Sequence, residues 1–311
     1  MNAGPSEGER DRRAELLALT GELRPELHRY CSRLMGSVID GEDVVQDTVA
    51  RALAALDEIK EMPQLRPWLF RIAHNRALDL LRSRARRKAE PIEAASDVAD
   101  EANADPMEVL MRQEAVETAV SRFAELPLVQ RSVVILKDVL DESLKDIAEL
   151  LDLSIDAVKA HLARGRARLR EINAQAATLA DARPVSAAVA RYVALFNAQN
   201  WDGLRALLAD DVKLHQSTYP LRVGSADVGR FFTIYATFDG VRLQPAWVEG
   251  REVIAVFEKG AGTTPNYFMW LEWRDGRISF IRDYRYSRYI VDDAKLMLAG
   301  DDSAAGNMDP A

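Results

Sequence analysis

Cysteine is almost absent from this sequence, which has one, Cys31, in 311 residues. One thiol can neither form an internal disulfide nor supply a multi-thiolate metal site, so helix packing is the expected role of Cys31. Long apolar runs are absent too: none approaches the roughly 20 residues that cross a bilayer, and the N-terminal segment has no apolar core typical of a signal peptide. We therefore expect a cytoplasmic protein with no membrane span, no metal and no cofactor.

The sequence also lacks net positive charge. Asp and Glu outnumber Lys and Arg by 49 to 41, which gives a formal net charge of −8, whereas nucleic-acid binders need cations to neutralise phosphates. The cations are nevertheless concentrated in two runs, 82–88 and 159–170, while residues 90–108 contain no Lys or Arg. Because local fields govern docking, this pattern predicts two basic surfaces on a protein that binds free DNA weakly by itself.

Apolar periodicity divides the chain into a helical part and a mixed part. Helices are predicted from about 12 to 87, with breaks at 36–41, Pro63 and Pro67, and from 107 to 180, with breaks near Pro127 and 152–154. After Pro184, helices are predicted at 185–198, 201–209 and 225–236, and strands at 241–248, 252–258, 267–273 and 278–284, with a turn at Asp275-Gly276. Helices followed by consecutive strands predict an α+β domain with an antiparallel sheet.

Residues 143–170 have the pattern of a helix-turn-helix. Ser143 with Asp146 fits a capping box, Asp152 occupies a turn position that requires left-handed backbone, Leu153 is expected to plug the turn, and Ser154 is expected to cap a second helix. The predicted buried stripe of that helix is Ile155, Val158, Leu162, Gly165 and Leu169. Its other face is rich in Lys and Arg, as in a recognition helix that enters a DNA groove; a solvated basic helix in a helical hairpin is the alternative.

Two amphipathic segments precede this motif. DVVQDTVARAL, residues 43–53, is predicted to place Val44, either Thr48 or Val49, and Ala52 inward and Asp43, Gln46 and Asp47 outward. In PWLFRIAHNRALDLLRSRARRK, residues 67–88, the predicted core stripe is Leu69, Ile72, Ala73, Ala77 and Leu80. Arg71, Asn75 and Arg82 lie four and seven residues apart, so they are expected to share a different face.

At these residues the sequence closely resembles the extracytoplasmic-function (ECF) group of the sigma-70 family of RNA polymerase sigma factors. Members carry D-x-V-Q-[DE], W-L-x-x-I-A-x-N-x-x-x-D-x-x-R, L-P-x-x-Q-R and I-A-x-x-L, and all four occur here in that order within residues 15–172. The resemblance implies a multidomain protein with two all-α modules, a region-two helical bundle and a region-four helix-turn-helix. It also implies promoter-specific initiation on core RNA polymerase, with no enzymatic activity.

The resemblance assigns roles to matching positions. It implies that Asp43, Gln46 and Asp47 dock on the β′ clamp of core polymerase and that Asn75, Arg76 and Arg82 contact the minus-10 promoter DNA. It also implies that the minus-35 element is contacted by Lys159, His161, Arg164 and Arg166. Many relatives have Thr and Ser where Ala157 and Ala160 stand, so their promoter preference is not expected to transfer.

Residues 185–290 resemble the SnoaL-like superfamily, α+β cones with a curved antiparallel sheet around a pocket, and VARYVALFNAQNWDGLRALLADDVKLH carries most of that resemblance. The candidate pocket residues are His215, Tyr219, Tyr235, Trp247 and Asp283. Three roles stay open for this domain: sensing a small ligand, contacting the sigma modules of the same chain through residues such as 282–288, and acid–base catalysis.

The expected boundaries follow from these assignments. They are region two at 12–88, an acidic linker at 89–112, region four at 113–173, a linker at 174–184, the SnoaL-like regulatory domain at 185–298 and a disordered tail at 299–311. Two competing hypotheses remain: a metabolite-sensing repressor or activator, which leaves the motifs at 43–53 and 67–88 unexplained, and a SnoaL-type enzyme with a DNA tether.

Overall fold

The computed structural model describes residues 7–55, 64–89, 119–174, 184–217 and 219–299. These residues form two compact units, one up to residue 174 and one from residue 184. The predicted linkers at 89–112 and 174–184 and the predicted tail at 299–311 lie almost entirely outside the described residues. Within the described ranges, no helix combines the length and the apolar character that crossing a membrane requires.

The first unit is built from helices. They are α1 (Glu7–Met35), α2 (Val38–Ala55), α3 (Leu65–Ala89), α4 (Ala119–Ala124), α5 (Leu128–Val134), α6 (Leu144–Leu151) and α7 (Ile155–Ala174), and a π-helical turn, Ile135–Val139, continues α5. The break between α1 and α2 is shorter than the predicted 36–41, because Gly41 lies inside α2. A Cβ atom on Gly41 would lie 2.5 Å from Cα of Ser32, so glycine lets the two helices cross at close range.

One apolar core joins the region-two helices to the region-four helices. Tyr30 of α1 packs against Phe70 of α3, with ring centroids 5.7 Å apart, and the same buried cluster includes Val133 and Ile135. A linker as long as the predicted one at 89–112 would allow the two modules to move independently. In this structure apolar side chains from both modules are buried in a shared core, which stabilises one arrangement.

The second unit combines helices with a seven-stranded sheet. Its helices are α8 (Ala187–Asn197), α9 (Trp201–Arg205), α10 (Ser225–Tyr235) and α11 (Ile290–Asp293). Its strands are β1 (Leu208–Gln216), β2 (Arg222–Val223), β3 (Arg242–Val248), β4 (Arg251–Phe257), β5 (Tyr267–Arg274), β6 (Arg277–Asp283) and β7 (Leu296–Leu298).

The sheet is open and curved, with strand order β2-β1-β6-β5-β4-β3-β7. Neighbouring strands are antiparallel except β1 and β6, which are parallel. Asp275 and Gly276 have φ of 53° and 74°, so both residues of the predicted β5–β6 turn adopt the left-handed backbone that tight hairpins favour. The predicted fold class, two all-α modules followed by an α+β SnoaL-like domain, is confirmed.

Two local predictions in the second unit are wrong. The helix predicted to reach residue 209 ends at Arg205, and Leu208 begins β1, where it pairs with Ile278 of β6. The predicted strands end at residue 284, but Leu296–Leu298 form a further strand, β7, beside β3, with Leu298 opposite Ala246. Both segments form strands because they pair with strands that are distant in the sequence, and this pairing outweighs their local helical preference.

Candidate nucleic-acid interface

The helix-turn-helix has the predicted local geometry. The Ser143 hydroxyl accepts the backbone N–H of Asp146 at 3.1 Å, and that of Ser154 accepts the N–H of Ala157 at 3.1 Å, so each begins a helix. Asp152 adopts left-handed backbone with φ 53° and ψ 50°, and Leu153 packs partly buried against the core. Ile155 departs from prediction, because it is 44% exposed and the buried stripe of α7 therefore begins at Val158.

Helix α7 presents its cations on the face opposite its buried stripe. Gly165 lies against α5 so closely that a Cβ atom there would come within 2.6 Å of Val134 Cγ2. Because this contact fixes the orientation of α7, its DNA-facing candidates point away from the core. Lys159, Arg164 and Arg166 are exposed and His161 is half-buried.

An ion pair holds Arg166 within this surface. Its Nε donates to Asp138 Oδ2 at 2.9 Å and its Nη2 donates to Asp138 Oδ1 at 2.5 Å. These hydrogen bonds raise the pKa of the Arg166 guanidinium. Lys159 makes a longer contact of 3.3 Å with Asp156 on the same helix. The sequence did not indicate Asp138, which lies in the π-helical turn.

Helix α3 divides its polar residues between two faces. Arg71, Asn75 and Arg82 are exposed together, as their spacing predicts. Arg76 is turned towards α2, where its Nε donates to Asp47 Oδ2 at 2.6 Å. The structure therefore keeps Asn75 and Arg82 on one surface and brings Arg76 to a residue predicted to contact polymerase.

A buried charge pair supports helix α2. Arg24 of α1 donates to Glu42 Oε1 at 2.7 Å, and both residues are buried. The Gln46 amide donates to the same oxygen at 3.3 Å, while Asp43, Gln46 and Asp47 are half-buried. The spacing did not mark Glu42 as buried, because it lies four residues before Gln46, which was predicted to face outward.

Arg131, the last residue of the L-P-x-x-Q-R segment, is a second buried cation that sequence reasoning missed. Its Nη1 donates to the carbonyl of Leu34 at 2.7 Å, and its Nη2 donates to the carbonyls of Leu126, at 3.0 Å, and Ala124. Burial lowers the pKa of its guanidinium. Arg131 thus connects the end of α1 to the loop that follows α4.

In the second unit, Tyr235 and Asp283 belong to one buried polar cluster. The Asp283 carboxylate accepts the Gln216 side-chain amide at 2.8 Å and the backbone N–H of Arg285 at 2.9 Å. Burial raises its pKa to about 6. The Tyr235 and Tyr267 hydroxyls are 2.5 Å apart, and both tyrosines are buried.

The structure separates the other three candidate pocket residues from this cluster. His215 pairs with Arg282 where Gln216 pairs with Asp283, so strand alternation puts His215 on the opposite sheet face from Asp283. Tyr219 is exposed and packs on Tyr286, with centroids 4.6 Å apart. Trp247 is buried in β3, opposite Glu252 and Met297.

Comparison with known proteins agrees with this architecture. Family models match in three places: sigma-70 region 2 at residues 19–87, sigma-70 region 4 at 118–169 and a SnoaL-like domain at 189–281. The RNA polymerase sigma factor CnrH of Cupriavidus metallidurans is 36% identical over 137 residues, which cover 42% of this chain and 71% of CnrH. The chain belongs to the ECF group of sigma-70 family sigma factors.

The ECF RNA polymerase sigma factor SigG of Mycobacterium tuberculosis matches this chain over a longer stretch than CnrH does, with 33% identity over 219 residues. The match covers 62% of this chain, which spans 59% of SigG. The crystal structure of the extracytoplasmic function sigma factor SigJ from M. tuberculosis matches 88% of this chain and 98% of SigJ, at 21% identity and a TM-score of 0.34. The predicted family and the SnoaL-like domain are confirmed, while the roles of individual residues stay predictions.

Proposed function

We propose that this protein binds core RNA polymerase in the cytoplasm and directs promoter-specific transcription initiation. The observation that carries the proposal is the cationic face of α7, which sits on a correctly capped helix-turn-helix and points away from the core. Exposed cations on such a helix can reach phosphates and base edges, and small residues between them allow close approach to the duplex. Ala160 and Ala163, both exposed, are the small residues here.

Three surfaces divide the work in this proposal. Asp43, Gln46 and Asp47 of α2 dock on the β′ clamp, and Asn75 and Arg82 of α3 contact minus-10 DNA. Lys159, His161, Arg164 and Arg166 of α7 contact the minus-35 element. Binding both DNA elements from one polymerase-bound protein raises affinity through effective concentration, which fits a chain with a net charge of −8.

The SnoaL-like domain, in our proposal, modulates initiation through contact with the sigma modules and has no enzymatic role. Two features support this view. Both oxygens of the Asp283 carboxylate accept hydrogen bonds within the domain, and buried tyrosines pack beside it. Its surface also carries the exposed Tyr219–Tyr286 pair and Arg285, whose guanidinium lies 4.7 Å from the centroid of the Phe238 ring. Aromatic side chains and arginines are enriched in protein-binding surfaces.

Run-off transcription with purified core polymerase on a promoter library tests the proposal. The wild type is expected to bind core polymerase and to start transcripts at a defined sequence. Arg164→Gln with Arg166→Gln is expected to abolish this selection while leaving polymerase binding intact; Arg13→Gln, exposed on α1, is the charge control. A protein that ignores polymerase and starts no transcript would contradict the proposal.

Modulation is tested by comparing the full chain with a version that ends at residue 177, the limit of the first unit. The two units have separate apolar cores, so the first is expected to fold alone. A change of several fold in transcript yield at equal polymerase occupancy supports modulation. Equal yields from both versions would contradict it.

A further inference from the structure

Arg76 and Asp47 form an ion pair between helices α3 and α2. Both Nε and Nη2 of Arg76 approach the same carboxylate oxygen, Oδ2, at 2.6 and 2.5 Å. The resemblance assigned these two residues to different partners, DNA and polymerase. In the structure they are partners of each other.

The surroundings of Arg76 differ from those of the other minus-10 candidates. The Arg76 side chain is 24% exposed, whereas that of Arg82 is 65% exposed, and Asn75 is exposed on the adjacent surface. Arg76 directly precedes Ala77, which is fully buried. A guanidinium held beside the core and aimed at α2 is poorly placed to reach a DNA strand on the Asn75 surface.

Asp47 is the more exposed partner, at 45%. An aspartate on a helix surface samples several rotamers, and ordering such a side chain on binding costs free energy. The two donors of Arg76 fix Oδ2 before any partner arrives and leave the carboxylate accessible from solvent. A cation on a docking partner then meets an acceptor whose position is already set.

We infer that Arg76 is a positioning residue for polymerase docking, which orients the Asp47 carboxylate, and that it does not contact promoter DNA. The inference rests on the proposed function. It replaces the DNA-contact role that the resemblance assigned to Arg76. Arg76 instead supports the docking surface from behind, through Asp47, without contacting polymerase itself.

The test measures the affinity of the full-length protein for core polymerase by fluorescence anisotropy. Arg76→Gln is expected to weaken binding about 3- to 10-fold, the effect of having to order one side chain on binding, and Arg76→Lys is expected to recover part of the loss. Asp47→Asn should weaken binding too, and adding Arg76→Gln to it should cost little more, because the carboxylate to be positioned is gone. Arg29→Gln, which removes an exposed cation from α1, is the charge-matched control.

A charge swap separates positioning from simple stabilisation. Asp47→Arg with Arg76→Asp restores an ion pair between the helices, so the thermal midpoint should recover. Polymerase affinity should not recover, because the docking carboxylate has become a cation. Recovery of affinity in the swapped protein would show that only the helix–helix pair matters, and it would overturn the inference.

Binding of minus-10 DNA distinguishes Arg76 from a residue that contacts DNA directly. Assembled holoenzyme is titrated with a single-stranded minus-10 oligonucleotide at saturating polymerase. Arg82→Gln is expected to weaken this binding several fold and Arg76→Gln to leave it within twofold of wild type. An equal loss in both variants, or unchanged polymerase affinity in Arg76→Gln, would refute the positioning role, whereas a wild type that binds no polymerase would refute the proposed function instead.

Discussion

Arg166 and Asp138 face each other across two hydrogen bonds that join the recognition helix to the π-helical turn after α5. The turn widens the backbone by one residue and so presents Asp138 to α7, in keeping with the frequent occurrence of π-turns at functional sites. The Nε and Nη2 edge of Arg166 is occupied by the carboxylate. The guanidinium is therefore held in one orientation before it meets DNA.

This pair predicts that Asp138 increases promoter discrimination. Asp138→Asn frees Arg166 and removes a carboxylate near the phosphates, so binding to unrelated DNA should strengthen while the specific complex gains less. We expect the ratio of specific to non-specific affinity of the holoenzyme to fall about 3- to 10-fold, because a less well oriented Arg166 loses part of the roughly 1–3 kcal/mol of base discrimination that a well-oriented arginine contributes. Competition binding with a minus-35 duplex and a scrambled duplex measures the ratio.

The matched control for this prediction is Asp156→Asn. It removes one negative charge from α7 itself but breaks only the longer contact with Lys159. Non-specific binding should strengthen here as well, with a smaller change in the ratio. A ratio that changes equally in both variants would show that charge alone, and not the orientation of Arg166, is responsible.

The close contact at Gly165 predicts a packing defect when a methyl group is added. In Gly165→Ala the new Cβ would lie 2.6 Å from Val134 Cγ2, so α5 and α7 must move apart, and overpacking of this kind costs about 1–3 kcal/mol. Amide hydrogen exchange of α5 and α7 should accelerate, and adding Val134→Ala should reverse part of the effect. Unchanged exchange in the single variant would contradict the tight packing.

Asp283 predicts a specific pH dependence of stability in the second unit. Its pKa is about 6 in the folded protein and 3.8 in model compounds, so the folded state holds the proton more tightly. Stability from this group is complete below about pH 4 and is lost as pH rises through 6, by up to about 3 kcal/mol. Asp283→Asn should abolish this loss, because Gln216 can turn its amide to accept from the new asparagine.

Urea unfolding at pH 5 and pH 7.5 measures the effect. In a Trp68→Phe background the remaining four tryptophans all lie in the second unit, so their fluorescence reports that unit. Asp292→Asn, which changes an exposed carboxylate, is the control. Parallel pH profiles for wild type and Asp283→Asn would exclude Asp283 as the source.

The shared core of the first unit predicts that the two sigma modules separate on a promoter. Elements near minus-10 and minus-35 are about 25 base pairs apart, roughly 85 Å at 3.4 Å per base pair, while α1, with 29 residues, is only about 44 Å long. Arg66 links the two modules through ion pairs, at 2.8 Å to Glu26 in the first module and at 2.6 Å to Glu142 in the second. We therefore expect the packed modules to separate when both elements are bound.

Weakening this contact should shift the unassembled protein towards separated modules. Glu142→Gln removes an ion pair whose side chains are 38% and 14% exposed. A loss of about 1 kcal/mol would raise the separated population about 5-fold. Spin labels at Arg29→Cys and Arg170→Cys, with buried Cys31 left in place, report the distance between the modules. Glu125→Gln is the charge-matched control, and a distance distribution that Glu142→Gln leaves unchanged would contradict the prediction.

Features set by neighbouring residues were predictable from the sequence. Ser143, Asp152 and Ser154 act within three or four residues of chain, so their capping and turn roles follow from local backbone chemistry. The carboxylate partners of Arg76 and Arg166 lie 29 and 28 residues away. No spacing rule connects residues that far apart, because the packing of two helices decides whether they meet.

The same distinction explains the errors in the second unit. The alternation of β3 to β6 marks each strand by itself, whereas β7 is three residues long and is a strand only because β3 offers it an edge. His215 and Asp283 both belong to the ends of strands, but whether they share a face depends on the β1–β6 register. The resemblance to the SnoaL-like superfamily indicated which residues could line a pocket, but it did not indicate the β1–β6 register.

Strand β7 also limits how the chain can be shortened. It shields the β3 edge at Ala246–Val248, and the N–H of Ala299 donates to the carbonyl of Pro245 at 2.9 Å just beyond it. A version that stops before Leu296 would uncover unpaired backbone groups next to buried apolar residues, and bare strand edges of that kind recruit other chains into aggregates. Preparations of the isolated second unit should therefore retain residue 299.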